Sequence, residues 1–572
     1  MNRRVRLDPS LFSLLFLGII LYWNSLQTPF LWDEDKLIVA DPRVHDWSRF
    51  PDIFLKSFFG VSDFYYRPLA TLSFRIDHMV WEFNPLGYHL TNLLFHLANT
   101  FIVYLLYRHF FKKAQLAFWG AFLFLAHPAH VEAVTYIPSR TDLLSFFFFL
   151  ASFYFYVKGR GADKKSPLYF GSVLCYALAL LSKERATFLP LLVFSHLLLV
   201  DREKVRWKGR EGALLLSMGC CLVAWAFVRR SVSIRMSLLS ALDIPRLLPR
   251  LSVLPEILFA YARIWFFPWP LHMGRIIPIA LLEVRSVLLG WSCFFFFLAG
   301  LLVLFRKALE RFWLVWIAVS LLPVVQIFPI YFNPPPLLLA VSEYLLYFAS
   351  AGIIGLLASR FGSFFVVEGR GGLLKSAPTV LLGATLTLFS FMVIWRNGEY
   401  RDRITFFEQT VRYAPYHASA YNHLGLAYKA NGDLKEAEKA FQKALSLDPR
   451  EGFPYANLGL LAYERGEFEK AYPYYQEALM RMPENSVVFH YLGMLEARRG
   501  EARKAIQFYE KAIEVEPDAL YSYVPASRLY WELGEKEKAL EVVNQGLKRD
   551  PSHRHLQKIK KWLEERLLIK TL

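Results

Sequence analysis

Long apolar runs alternate with short polar segments through the first 396 residues, and the pattern then changes to polar, charged sequence. A helix needs about 20 mostly apolar residues to cross a bilayer. The runs therefore predict a bundle of about eleven transmembrane helices, at residues 11–28, 90–110, 114–130, 143–157, 169–181, 186–200, 213–228, 287–305, 312–328, 344–358 and 378–395. A further apolar stretch, 253–269, carries Glu256 and Arg263, and we predict an interfacial or re-entrant helix there.

The charges between these runs predict the orientation of the bundle. Arg3, Arg4 and Arg6 precede the first run, and Lys and Arg cluster in short loops, which is the positive-inside pattern of membrane proteins. The N-terminus is therefore expected in the cytoplasm. These loops explain the formal net charge of +17 in a chain that is 55% hydrophobic, so we predict no nucleic-acid partner.

Residues 29–89 form the first outer loop in this topology. The part from 36 to 86 is too polar to span a bilayer, yet it is rich in Trp, Phe and Tyr. Aromatic side chains are enriched at headgroup depth. We therefore predict amphipathic helices that lie along the membrane surface, in contact with membrane lipids.

A period of 34 residues runs through the last part of the chain. Glycine recurs in this register at 432, 466, 500 and 534, and proline at 415, 449, 483, 517 and 551. This is the pattern of tetratricopeptide repeats, pairs of antiparallel helices that stack into a solenoid. Such solenoids offer concave surfaces for peptides or proteins, so a polypeptide partner is expected.

The two patterns together predict an all-α chain of two domains. The first, 1–396, is a polytopic membrane helix bundle with its outer loop at 29–89. The second, 397–572, is an extracytoplasmic repeat domain, with repeats at about 418–551 and a closing helix at 552–567.

Three acids follow the first apolar run, in the sequence FLWDED at residues 30–35, which we call the acidic loop. Ionisable residues at the mouth of a membrane bundle are expensive to place, which favours a functional role. We predict that Asp33 or Asp35, beside Glu34, acts as a general base. The alternatives are an ordinary solvated loop, or Asp33 acting as a helix cap.

Several cations fall on the same outer side as the acidic loop. Arg140, Lys183 and Arg185 run against the positive-inside bias, and Arg140 precedes a helix N-terminus, whose partial positive charge disfavours it. An anion such as a lipid-linked phosphate would relieve both conflicts. The alternatives are a plain helix cap beside Arg140 and snorkelling of Lys183 and Arg185 around a tight hairpin.

His127, His130 and Glu132 lie close together in one outer segment and could form a metal cluster. Pro128 interrupts the local geometry and no third strong ligand group is evident, so no metal ion is expected. The four cysteines lie within apolar runs without metal-ligand spacing, which predicts neither a disulfide framework nor a zinc site.

An ordered set of motifs runs along the first 184 residues: Trp-Asp-Glu-Asp at 32–35, Tyr-Arg-Pro-Leu at 66–69, His-Pro-Ala-His-Val-Glu-Ala at 127–133, Ser-Arg-Thr-Asp-Leu at 139–143 and Leu-Ser-Lys-Glu at 181–184. With the repeats, this order resembles the transmembrane and tetratricopeptide-containing O-mannosyltransferases and their prokaryotic relatives, of the GT-C superfamily of membrane glycosyltransferases. The chain departs from the family at 342–344, where it has Ser-Glu-Tyr and the family tends to show Glu-Arg-Tyr.

The resemblance implies an inverting transfer of a sugar, mannose or another hexose, from a polyprenyl phosphate to Ser or Thr of an exported protein. An acid of the set Asp33, Glu34 and Asp35 would lie near the acceptor. The phosphate would be held by Arg67, Arg140, Lys183 and Arg185, in a pocket formed by His127, His130, Glu132, Asp142, Glu184 and Glu343. The donor lipid and a polypeptide are the expected partners of this multi-pass protein of the plasma or inner membrane, and no other cofactor is expected.

Two other functions fit parts of the sequence. A non-catalytic, membrane-anchored repeat scaffold for envelope assembly would explain the repeats and the spans but not the outer acids and cations. A transporter of the lipid-linked sugar is disfavoured, because the halves of the bundle lack internal symmetry and acidic residues are lacking at mid-span.

Overall fold

The structure is a computed structural model that describes residues 9–59, 65–160, 167–201, 209–232, 251–273, 275–278, 284–322, 338–365, 377–551 and 553–568. The chain divides into two compact units, Met1–Ala414 and Pro415–Leu572. Arg3, Arg4 and Arg6, which support the predicted orientation, lie outside the described residues.

Each predicted transmembrane run contains a helix. Within the described residues, six helices are long and apolar enough to cross a membrane: Pro85–Phe111, Ile137–Arg160, Arg210–Val232, Val287–Leu304, Glu343–Phe361 and Ala377–Gly398. The other five have 11 to 15 residues: Pro9–Tyr22, Ala114–Leu125, Leu168–Ser182, Leu189–Leu199 and Ala308–Leu321. Residues 323–328 of the ninth run lie outside the described residues. The first unit is a membrane helix bundle.

Helices of this bundle differ in what they present to their surroundings. Phe227 of Arg210–Val232 is 75% exposed and Phe296 of Val284–Leu304 is 84% exposed, as expected of helices that face lipid. Other helices meet through buried aromatic rings, such as Phe348 against Phe146 and Phe149. Dense aromatic packing of this kind gives a rigid support for polar side chains at the helix ends.

Short helices fill the first outer loop: Pro42–His45, Trp47–Arg49, Asp52–Leu55 and then Pro68–Trp81. Trp47 and Leu55 are exposed, whereas Phe58 and Tyr66, which were predicted to face the membrane surface, are buried. Phe58 joins a small core under this loop with Phe74 and Tyr88. The loop is therefore packed onto the bundle along one side.

The apolar stretch 253–269 contains the helix Leu254–Phe266, which has 13 residues. Close behind it, strand Arg275–Pro278 pairs antiparallel with strand Leu338–Val341, with Arg275 opposite Val341. This two-stranded ribbon is an addition to the predicted all-α fold. It leads directly into the segment that carries Glu343.

The second unit is the predicted solenoid of helix pairs. The pairs are Ala418–Asn431 with Leu434–Leu447, Gly452–Glu464 with Phe468–Arg481, Ser486–Arg498 with Ala502–Val515, and Tyr523–Glu532 with Lys536–Arg549; Arg554–Leu568 closes the array. Gly466 has a φ of +76°, a left-handed turn that favours glycine. Gly459 packs so closely on Tyr475 that an added Cβ would lie 2.7 Å from the ring.

The boundary between the units falls after Ala414, later than the predicted boundary at 397. The helix Arg403–Tyr413, which we call the linking helix, belongs to the first unit. Its buried residues Phe406 and Phe407 pack against Trp32 of the acidic loop, which explains the shift.

Candidate active site

The acidic loop places one carboxylate, that of Asp33, in a half-buried position against Tyr136. The Tyr136 hydroxyl donates a hydrogen bond to Oδ2 of Asp33 at 2.7 Å. Burial raises the pKa of Asp33, and the Tyr136 hydrogen bond and the charge of Lys36 offset that rise only in part. A partly accessible carboxylate with a raised pKa is suited to accept a proton.

Glu34, by contrast, supports the backbone of the acidic loop. Its Oε2 accepts hydrogen bonds from the backbone N–H groups of Trp32 at 2.8 Å and Leu31 at 3.3 Å. The side chain is buried. The structure thus gives Glu34 a structural role, although the sequence grouped it with the catalytic acids.

Asp35 lies at the exposed end of the acidic loop and pairs with Arg403 of the linking helix. Nη2 of Arg403 lies 2.7 and 2.8 Å from the two carboxylate oxygens of Asp35. Nε of the same guanidinium donates to the carbonyl oxygen of Phe30 at 2.9 Å. One side chain therefore binds both ends of the acidic loop.

Arg140 is enclosed in the bundle and paired with Asp77. Its Nη1 lies 2.5 Å from Oδ2 of Asp77, and its Nε and Nη2 donate to Oδ1 of Asn92 at 2.8 Å and to the carbonyl oxygen of Tyr88 at 2.7 Å. The guanidinium is fully buried. The predicted phosphate contact of Arg140 is corrected accordingly, because all three nitrogens bind protein atoms inside the bundle.

Asp142 holds the next two predicted cations together. Its Oδ2 accepts from Nζ of Lys183 at 2.5 Å, and its Oδ1 accepts from Nη1 of Arg185 at 3.0 Å. Burial lowers the pKa of Lys183 to about 8, against the opposing charge of Asp142. An ammonium carries three N–H donors, and among the described residues the Asp142 carboxylate takes one of them, which leaves donors for a further anion.

The guanidinium of Arg185 also ties helices together. Its Nη2 donates to the carbonyl oxygens of Leu345 at 2.6 Å and Ser320 at 3.2 Å. Its Nη1 lies 3.4 Å from the carbonyl oxygen of Tyr344. These bonds join the turn after Leu168–Ser182 to two other helical segments. The predicted contact between Arg185 and a phosphate is therefore corrected to a structural role.

Arg67, which is largely buried, pairs with the more accessible Glu184. Nη2 of Arg67 lies 2.6 Å from Oε1 of Glu184 and Nε lies 3.2 Å from Oε2, a two-pronged ion pair. The Glu184 side chain is 29% exposed, whereas that of Lys183 is 7% exposed. Burial alone would raise the pKa of Glu184, but Arg67 outweighs it and lowers the pKa to about 2.

We call Arg67, Asp142, Lys183, Glu184 and Arg185 the cation cluster. Its three cations face two carboxylates through the contacts above, so one positive charge is left over. An excess charge in a largely buried setting attracts an anion more strongly than it would in water. The cluster is the part of the described bundle best suited to a phosphate.

Glu132 and Glu343 meet beside the cation cluster. Oε2 of Glu132 accepts from the backbone N–H groups of Glu343 at 2.7 Å and Tyr344 at 3.2 Å. Nη2 of Arg396 lies 3.6 Å from Oε2 of Glu343. Burial and the neighbouring charge of Glu343 raise the pKa of Glu132. Arg396 therefore supplies a cation next to Glu343, although the sequence around Glu343 lacks the arginine that the resemblance leads one to expect.

The two predicted pocket histidines are buried and bonded to the backbone. Nε2 of His127 lies 3.0 Å from the carbonyl oxygen of Trp265, and Nδ1 of His130 lies 2.8 Å from that of Phe124. Each donates its ring N–H there, which fixes the imidazole orientation. In the described part of the chain, no group of three or more His, Cys, Asp or Glu side chains converges on a possible metal position.

Two short segments connect these groups. Residues 136–142 bind Asp33 through Tyr136 at one end and Lys183 through Asp142 at the other. Tyr344 donates its N–H to Glu132 and places its ring 4.7 Å from Nζ of Lys183. The general-base candidate, the cation cluster and the Glu132–Glu343 pair are thus parts of one connected network.

Sequence reasoning missed four residues of this network: Asp77, Tyr136, Arg396 and Arg403. Arg396 and Arg403 lie beyond the last apolar run, on the side predicted to be outside. They therefore run against the positive-inside bias, as Arg140 does, and the same criterion could have found them. Asp77 and Tyr136 carry no comparable local pattern.

Tetratricopeptide repeat family models match three parts of the chain, residues 418–451, 453–485 and 496–563. This confirms the repeats predicted from the 34-residue period. Solved structures similar to the chain include YrrB, described as a TPR protein with an unusual peptide-binding site, at 24% identity over 30% of this chain and 89% of that chain, with a TM-score of 0.25. Another is TTC0263, described as a thermophilic TPR protein in Thermus thermophilus, at 19% identity over 33% of this chain and 98% of that chain, with a TM-score of 0.26.

Among curated proteins, the chain is similar to several named protein O-mannosyl-transferases. TMTC3 of Mus musculus is 35% identical over 29% of this chain and 19% of its own length. TMTC2 of Homo sapiens is 31% identical over 36% of this chain and 27% of its length, and F38B6.6 of Caenorhabditis elegans is 34% identical over 31% and 26%. The predicted resemblance to O-mannosyltransferases with tetratricopeptide repeats is confirmed. The chain spans about a fifth to a quarter of the length of these relatives.

Proposed function

We propose that this protein is a membrane glycosyltransferase of the GT-C type that transfers a hexose from a polyprenyl phosphate to a Ser or Thr hydroxyl. The proposal rests on one observation: the segment 136–142 contacts the half-buried carboxylate of Asp33 at one end and the cation cluster at the other. A sugar phosphate donor needs cations for its leaving group, and the acceptor hydroxyl needs a base. Both requirements are met in one connected network.

Asp33 is assigned as the general base. The oxygen of the acceptor hydroxyl attacks the anomeric carbon, its proton passes to Asp33, and the bond from that carbon to the phosphate oxygen breaks. The electron pair leaves with the polyprenyl phosphate. A single displacement of this kind inverts the anomeric configuration. The raised pKa of Asp33 favours uptake of the proton.

Lys183 and Arg67 are assigned to the departing phosphate. Lys183 retains N–H donors beside Asp142, and Arg67 pairs with Glu184, the most exposed member of the cation cluster. A phosphate placed there would be stabilised by the one positive charge that the cluster has in excess. As the leaving group gains charge, this stabilisation lowers the barrier.

The relatives support the choice of sugar and of acceptor. Their names describe protein O-mannosyl-transferases, so mannose is the first donor sugar to test and an exported protein the first acceptor. The tetratricopeptide repeats supply a surface for such a polypeptide. The proposal places the N-terminus in the cytoplasm and the acidic loop and repeats outside, in a multi-pass arrangement.

Asp33→Asn tests the proposal. Membranes that contain the protein would be supplied with polyprenyl-phosphate mannose or glucose and with exported acceptor proteins, and hexose-sized adducts on Ser or Thr would be followed by mass spectrometry. We expect the rate to fall by about 10²- to 10⁴-fold, since the substitution removes the base.

Asp52→Asn is the matched control, because Asp52 lies in the same outer loop and pairs with Lys56 at 3.0 Å, away from the network. It should retain the wild-type rate. Wild-type transfer by Asp33→Asn would refute the assigned base. Absence of any hexose adduct in the wild type, together with loss of an envelope component on deletion, would favour a non-catalytic scaffold.

A further inference from the structure

The acidic loop is attached to the linking helix by two kinds of contact. Arg403 binds the loop at both ends, through the carboxylate of Asp35 and the carbonyl oxygen of Phe30. Between these ends, the Trp32 ring lies 5.3 Å from that of Phe407 and 6.3 Å from that of Phe406. Asp33 is therefore bracketed by residues that the linking helix holds.

These contacts differ from those of an incidental surface ion pair. The Arg403 guanidinium bonds a backbone carbonyl as well as a carboxylate, so its position fixes the path of the chain. Phe406 and Phe407 are nearly fully buried. In addition, the carboxylate of Glu34 accepts hydrogen bonds from two backbone N–H groups of the acidic loop. These contacts restrict the acidic loop and so fix the orientation of the Asp33 side chain.

We propose that Arg403 is a positioning residue, which acts through Asp35 and the acidic loop to hold the Asp33 carboxylate at Tyr136 and in line with the acceptor. Asp35 is then the anchor of the loop and Asp33 the base. The inference rests on the proposed function, because it needs Asp33 to react. General-base catalysis depends on hydrogen-bond reach, so a carboxylate that drifts by about 1 Å loses about 10²-fold in rate.

The first test combines Arg403→Glu with Asp33→Asn. In the wild-type background, Arg403→Glu repels Asp35 and should lower kcat by about 10- to 100-fold, with little change in KM for the donor. In the Asp33→Asn background, the same substitution should change the remaining rate by less than about 2-fold, because no base is left to position. If Arg403→Glu lowered the rate by the same factor in the Asp33→Asn background as in the wild type, the inference would be overturned.

Arg401→Glu is the matched control. Arg401 lies two residues away, is 72% exposed and pairs with the neighbouring Asp402 at 3.2 Å. The substitution introduces the same charge into the same segment and should leave kcat unchanged. An equal loss in Arg401→Glu would show that net charge, rather than the contact with Asp35, is responsible.

The second test exchanges the charges, Asp35→Arg with Arg403→Glu. The pair can re-form with opposite polarity, so this double variant should recover at least about a tenth of the wild-type kcat, and Asp35→Arg alone should be as impaired as Arg403→Glu. Failure to recover in protein with a wild-type melting temperature would overturn the inference. A fully active Asp33→Asn variant would instead overturn the proposed function, so the two failures are distinguishable.

Discussion

The ion pairs of the membrane bundle and those of the solenoid are made from the same residue types but have different surroundings. In the bundle, Arg140 and Asp77 are 0% and 7% exposed. In the solenoid, Arg528 and Glu532 are 79% and 50% exposed. A buried pair must offset a large loss of hydration, whereas water and salt screen an exposed pair. The comparison indicates which charges the fold and the chemistry depend on.

Among the buried cations, a second difference separates structure from chemistry. Arg140 and Arg185 are enclosed by carboxylates, side-chain amides and backbone carbonyls. Lys183 and Arg67 are the other two cations of the cation cluster, which with Arg185 keeps one positive charge in excess. Substitutions of the first kind should therefore affect stability, and those of the second kind should affect turnover.

The largest loss of stability is expected from Arg140→Met. The substitution leaves the Asp77 carboxylate buried without its cation, which should reduce the free energy of unfolding by about 3–5 kcal/mol. Thermal unfolding in detergent and the abundance of the protein in membranes would measure the effect. Arg140→Met with Asp77→Leu should recover most of the loss, and a single variant within about 1 kcal/mol of wild type would contradict the assigned ion pair.

Lys183→Met should mainly reduce turnover. Loss of one cation at the departing phosphate is expected to lower kcat by about 10²- to 10³-fold, while the melting temperature changes much less than in Arg140→Met. In the wild type, the charge of Lys183 is present below a pKa of about 8 and lost above it. Donor binding should therefore weaken as the pH rises through about 8. Equal donor binding on the two sides of that pKa would contradict this assignment.

The smallest effect is expected from Arg528→Gln in the solenoid. The pair with Glu532 spans one helical turn and is exposed to solvent, so its loss should change the free energy of unfolding by less than about 0.5 kcal/mol. Differential scanning calorimetry of the full chain would show this. A loss as large as that of Arg140→Met would remove the distinction between the two regions.

The sequence predicted the helical elements well because they depend on local patterns. The apolar runs and the 34-residue period each place a helix by periodicity or spacing alone, and helices occur at all eleven runs and in all four repeats. The linking helix is the exception, because the sequence assigned it to the repeat domain and the structure assigns it to the first unit. Its sequence is as polar as the repeats, but Phe406 and Phe407 bind it to the acidic loop, and spacing does not reveal such a contact.

The sequence predicted most residues of the candidate site, but it did not predict which residues pair with one another. Lys183 was found because a cation on the outer side runs against the positive-inside bias, and Glu132, Asp142 and Glu184 were found because their motifs resemble those of a known family. Which partner each one takes depends on tertiary contacts between residues far apart in the chain, as in Lys183 with Asp142 or Arg67 with Glu184. Arg140 was assigned to a phosphate because its partner, Asp77, lies in the helix Pro68–Trp81, which the sequence left within a surface loop.

Tyr344 contacts three neighbours through three different parts of its own structure: its N–H reaches Glu132, its ring lies near Lys183 and its carbonyl oxygen faces Arg185. A displacement of Tyr344 would therefore change the surroundings of Glu132, Lys183 and Arg185 together. Replacing its ring by Leu would keep both backbone contacts and alter only the environment of the ammonium. This position therefore offers a way to change the surroundings of the Lys183 ammonium without removing the backbone contacts to Glu132 and Arg185.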